Sequence, residues 1–115
     1  MKTNKFNKIH IYLRQTSHNK INKGRPEWFN YEKCFKNLLD TLDSEICDLT
    51  VVFDGDTSNH FIEKYLPLKI EKIDTINEII KRGYGDSMGV SNIKTLEIIK
   101  KDNPSLNTLI YYVEN

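Results

Sequence analysis

Cysteine is scarce, with two residues in a chain of 115, Cys34 and Cys47. They are too few and too far apart for a disulfide framework or a zinc knuckle. Free cysteine is often buried, so both read as reduced core fillers, Cys34 on an apolar helical face and Cys47 just before a strand. No apolar run approaches the ~20 residues of a membrane span. The polar segment 1–8 lacks the apolar stretch of a signal peptide, so the expected location is cytoplasmic. An excess of one charge is missing as well: 17 Lys and Arg face 16 Asp and Glu, for a net +1. That balance offers no electrostatic attraction to nucleic acid or an anionic membrane. No internal repeat or low-complexity segment is found. A chain of this length builds one hydrophobic core and has no room for a second, so residues 1–115 read as one domain.

What is present is an alternation of short apolar runs with helical patterns. Residues 9–13 read as a first strand. Tyr31, Cys34, Phe35, Leu38, Leu39 and Leu42 recur at helical spacing and make one amphipathic stripe. Pro26 is placed to open that segment and Asn30 to cap a regular helix within it. Residues 49–53 form a second strand, too continuously apolar for a one-sided sheet, ending in the turn signal Asp54-Gly55-Asp56. A short helix over 61–66 is closed by Pro67, and 68–73 alternate as a third, outer strand. Ile76, Ile79 and Ile80 mark further helical turns. The loop 83–89 precedes a helix carrying Val90, Ile93, Leu96 and Ile99, which stops before Pro104. A last strand runs from Thr108 to Val113 and leads into Glu114. This β-α-β-α-β-α-β order predicts an α/β fold, a three-layer α/β/α Rossmann-like parallel sheet with right-handed crossovers.

Ligands of such sheets bind just outside the carboxyl ends of the strands, so the chemistry is sought there. Asp54 ends a buried strand, where a carboxylate accepts hydrogen bonds from a nucleobase N–H or a ribose hydroxyl. Gly55 permits the close turn that follows. The alternative is that Asp54 and Asp56 only make the turn and cap the next helix through Ser58. The loop with Gly83, Gly85, Asp86, Ser87 and Gly89 opens a helix whose free N–H groups and positive dipole end suit an anion. It is not a dinucleotide fingerprint. Its spacing is G-x-G-x-x-x-G, and a helical pattern stands before it where a strand is required. Here the alternative is a plain loop with Ser87 as helix cap.

In order along the chain, the run ending in Phe53-Asp54-Gly55-Asp56, the Gly/Ser/Asn loop at a helix start and the strand Leu109-Ile110-Tyr111-Tyr112-Val113-Glu114 resemble the nucleotide-binding half of a GT-A glycosyltransferase. The resemblance runs from Lys8 to Asn115. It implies a four-stranded sheet in the order 3-2-1-4 and a nucleotide-sugar ligand of the UDP or GDP type. It also implies a site formed by Arg14, Thr16, Asp54, Asp56, Gly85, Asp86, Ser87 and Ser91, with Asn92 in the same stretch. The family's fourth strand leads into acidic residues that hold Mn²⁺ or Mg²⁺ against the diphosphate; these hard ions favour oxygen ligands. Here Glu114 stands at that metal position without a second carboxylate. The chain is therefore expected to be a truncated portion of such an enzyme, holding no metal and inactive alone. A non-catalytic α/β module binding a nucleotide or a partner is the second reading. A receiver-like signalling domain is disfavoured, because Arg14-Gln15-Thr16 stands where an acidic pair is needed.

The loop 14–26 carries Arg14, His18, Lys20, Lys23 and Arg25 on the same rim as Asp54, where cations can pair with a diphosphate or lie solvated. His10, His18 and His60 share no ligand spacing and are given no role. Trp28 and Phe29 are expected to staple the helix start to the core. In the order 3-2-1-4 the last strand is an uncharged edge, which predicts a homodimer through it.

Overall fold

The structure, a computed structural model, describes residues 6–17, 27–28 and 30–113. The elements are β1 (Lys8–Thr16), α1 (Tyr31–Thr41), β2 (Cys47–Asp54), a 3₁₀ turn (Phe61–Tyr65), β3 (Lys69–Ile73), α2 (Thr75–Arg82), α3 (Ser87–Asp102) and β4 (Thr108–Val113). The four strands make one all-parallel sheet in the order β3-β2-β1-β4. The fold is α/β, with the strand order expected from the sequence. No helix among the described residues is long and apolar enough to cross a membrane.

The strand period of two divides the core between the faces of the sheet. On one face Leu13, Val51 and Phe53 pack with Phe35 of α1 and Ile62 of the 3₁₀ turn. On the other, Tyr12 and Val52 pack against Ile98 of α3, with Ile73, Ile110 and Tyr112 around them. β1 and β2, each paired on both sides, therefore hold the centre. β1 is longer than its apolar run suggests, because Arg14, Gln15 and Thr16 continue its pairing with β2 through Thr16↔Asp54.

Local signals set the helix ends. Asn30 Oδ1 accepts from the Lys33 N–H at 3.0 Å and starts α1. Asp74 does the same for Asn77 at 3.1 Å in α2. Gly83, at φ 81°, takes the left-handed position that ends α2 at little steric cost. α3 is capped by Asp86 rather than Ser87, with Asp86 Oδ1 accepting from the Gly89 N–H at 2.7 Å. A carboxylate one residue earlier meets the helix dipole as a full charge, which a hydroxyl cannot.

Two expectations about the core are corrected. Cys34 is exposed, because α1 lies on the sheet by its Phe35 row and no described residue covers its flank. Cys47 is half-buried as the first residue of β2. Trp28 is 75% exposed and is not packed into the core of the described residues. Pro26, Phe29, His18, Lys20, Lys23 and Arg25 lie outside the described residues.

Candidate functional site

The carboxyl ends of β1, β2 and β3 are fastened to one another. The Ser17 N–H and the Thr16 hydroxyl both donate to the Asp54 carbonyl, at 3.1 and 3.2 Å. The Gly55 N–H donates to the Ile73 carbonyl at 3.2 Å. Gly55 sits at φ 109°, so the turn that leaves β2 requires glycine.

Asp54 is 1% exposed, and its carboxylate points to the start of α2. Oδ1 accepts from the Thr75 N–H at 3.0 Å and Oδ2 from the Thr75 hydroxyl at 2.5 Å. A charge-assisted pair of this kind holds α2 on the sheet end. Asp56 is exposed and accepts from both the N–H and the hydroxyl of Ser58, at 3.0 and 2.7 Å. Those bonds, the backbone one first, hold its carboxyl below the usual aspartate range. The 3₁₀ turn is capped by His60, whose Nδ1 accepts from the Ile62 N–H at 3.0 Å.

α3 ends at the foot of the sheet. The Tyr12 hydroxyl donates to Asp102 there at 2.9 Å, and Lys69 stands 3.6 Å from the same carboxylate. Burial, and then that bond to Asp102, push the Tyr12 hydroxyl well above the ordinary tyrosine range. At ~1.5 Å per residue the helix rises about 24 Å, which carries its start at Ser87, with Gly85 and Asp86, toward the carboxyl rim. Ser91 faces inward and is buried, with its hydroxyl on the Met88 carbonyl at 3.1 Å. Asn92 accepts from the Tyr112 hydroxyl at 3.0 Å and so links α3 to β4.

Arg14 and Gln15 close β1 on opposite faces. Arg14 Nε and Gln15 Oε1 are buried with no hydrogen-bond partner among the described residues. A native fold seldom leaves such atoms unsatisfied. They follow Leu13, the last β1 residue paired with β4. The connection out of β1 through α1 and the connection into β4 through α3 cover opposite faces of the sheet, which makes the carboxyl end between β1 and β4 a switch point. That is the crevice where parallel sheets take ligands.

The structure therefore brings Arg14, Thr16, Asp54, Asp56 and the 83–87 loop to one end of the sheet. It commits Asp54, Asp86 and Ser91 to internal bonds and leaves Arg14 Nε unpaired. Glu114 lies outside the described residues. Among those described, no three His, Cys, Asp or Glu side chains are grouped to hold a metal ion. Glu114, the position that the resemblance assigns to a metal, is not among them, and no step is routed through an ion. The residue that sequence reasoning missed is His60. It was passed over for want of a ligand spacing, although its cap on Ile62 is local. Comparison with family models, with curated proteins and with solved structures returned no match.

Proposed function

We propose that the chain binds a nucleotide diphosphate, of the nucleotide-sugar class, at the carboxyl rim between β1 and β4, as the nucleotide-binding portion of a GT-A-like glycosyltransferase. The supporting observation is Arg14, a guanidinium at the switch point whose buried Nε has no partner among the described residues. A diphosphate oxygen satisfies that donor, and a planar fork suits phosphate better than an ammonium does. The carboxylates of the rim divide the remaining work. Asp86 already answers the dipole of α3, so the 83–87 loop suits the hydroxyl and N–H donors of ribose and base rather than a second phosphate. Asp54 reads the base only if Thr75 yields one of its oxygens, and otherwise holds α2 in place.

A UDP or GDP titration followed by amide chemical shifts tests this. Shifts are expected at Arg14, Thr16 and residues 85–91, and Arg14→Gln should weaken binding about tenfold or more, as for loss of a hydrogen bond to a charged group. Shifts clustered elsewhere would remove the site. The second reading is a binding module without chemistry. Acceptor-dependent release of nucleoside diphosphate by the pure chain would exclude it.

A further inference from the structure

We propose that β4 is the pairing strand of a two-fold homodimer, its free edge running antiparallel to the same edge of a second copy while α3 closes against its counterpart. Among the described residues β4 pairs with β1 alone. Its outward N–H and C=O groups form a directional surface that accepts a strand rather than a helix or a loop. The opposite edge is guarded. β3 reads Lys-Ile-Glu-Lys-Ile, whereas β4 reads Thr-Leu-Ile-Tyr-Tyr-Val, with neither charge nor proline.

Both faces beside β4 are open. Leu109 and Tyr111, on the α1 face, are exposed, Tyr111 at 58%. On the other face a groove of about 370 Å³ runs between α3 and β4, lined by Asn92, Leu96, Ile99, Ile110 and Tyr112. Leu96, on its rim, is 66% exposed. Among the described residues, apolar cover is thus missing in two layers at one edge.

The occupant follows from the pattern of the strand. A two-fold axis perpendicular to the sheet sets residues of the same face opposite one another, so paired positions must differ by an even number. An axis through Tyr111 pairs it with its own copy, Ile110 with Tyr112 and Leu109 with Val113. Each pair is aromatic or aliphatic, the class that favours cross-strand contact, and no like charges meet. The strand is its own complement, and nothing on it selects a different one. The same axis brings Leu96 of α3 toward Leu96 of the second copy and fills the groove from both sides.

Sedimentation equilibrium on the whole chain across the micromolar range tests this, and a dimer is expected. Tyr111→Lys sets two cations opposite each other, and Leu96→Glu does so for two anions in the helix layer. Each should raise the dissociation constant about tenfold or more, equivalent to ~1.4 kcal/mol, with an unchanged circular dichroism spectrum. Tyr111→Cys, with Cys34→Ser and Cys47→Ser, should oxidise to a covalent dimer. A monomer at every concentration, a dimer indifferent to both charge substitutions, or the absence of a Tyr111→Cys cross-link would each overturn the proposal.

Discussion

The two edges of the sheet solve the same physical problem in opposite ways. At β3 the edge is charged, and its charges are tied to α3. Lys69 stands 3.6 Å from Asp102, and Glu71 stands 3.6 Å from Lys101. Ile70 and Ile73 are drawn into the two cores. At β4 the edge is uncharged, and the inward row of Ile110 and Tyr112 is only partly covered. An edge finished with lysines resists a further strand, and one finished with leucine and tyrosine invites it. The contrast is one of chemistry: the β3 edge carries charges paired with α3, and the β4 edge carries none.

The sharpest test deletes aromatic rings on the two sides. Phe35→Ala empties the layer that covers the β3 side and should cost ~3–5 kcal/mol. Tyr111→Ala, at the β4 edge, should stay within ~0.5 kcal/mol in the monomer, as at an exposed site. Urea midpoints at low protein concentration measure both, and comparable losses would mean that β4 is covered. Next in size is Thr75→Val, which removes the hydroxyl bond to buried Asp54 and should cost about 1.5–3 kcal/mol. If thermal unfolding is unmoved, Asp54 is free for a ligand.

A pH series comes third. Burial first of all lowers the pKa of both His10 and His60 from the ordinary 6.5, so the folded chain resists taking up their protons. Their contribution is complete above pH 6.5 and is lost as pH falls through the lower folded values, so stability should drop between neutral and mildly acidic pH. A midpoint independent of pH across that window would count against both environments. The smallest expected effect is at the guarded edge. Lys72→Ile should change stability by under ~0.5 kcal/mol yet introduce association through β3. If it introduces none, charge is not what blocks that edge.

Element order was legible because the evidence for it is local and repeated, whereas the strand order rested on the resemblance. The continuous run at 49–53 marks a central strand, the mixed apolar and charged pattern of 68–73 an outer one, and Asn30 a helix start. The errors share a cause. The stripe through Tyr31, Cys34, Phe35 and Leu38 is apolar at each position, yet only Phe35 is fully buried, since sequence gives the width of a stripe and not what lies against it. Asp86 and Ser87 are adjacent and both are good caps, so composition alone could not separate them. Within the site, the position of Asp54 at a strand end was readable. Its bond to Thr75 was not, because that partner is set by how β3 returns beside β2.

The histidine at the mouth of the 3₁₀ turn has a spectroscopic consequence. His60 accepts at Nδ1 from Ile62, so a neutral ring keeps its proton on the other nitrogen, in contact with the Thr16 carbonyl. One tautomer is thereby selected, and its nitrogen resonances carry a signature unlike that of a freely exchanging imidazole. The ring reaches the last residue of β1, two positions beyond Arg14. A molecule that shifts the end of that strand must disturb the Thr16 contact before it disturbs the Ile62 one. Were the proposed ligand to bind at the rim, the relative movement of the two ring nitrogens would report it without a tag.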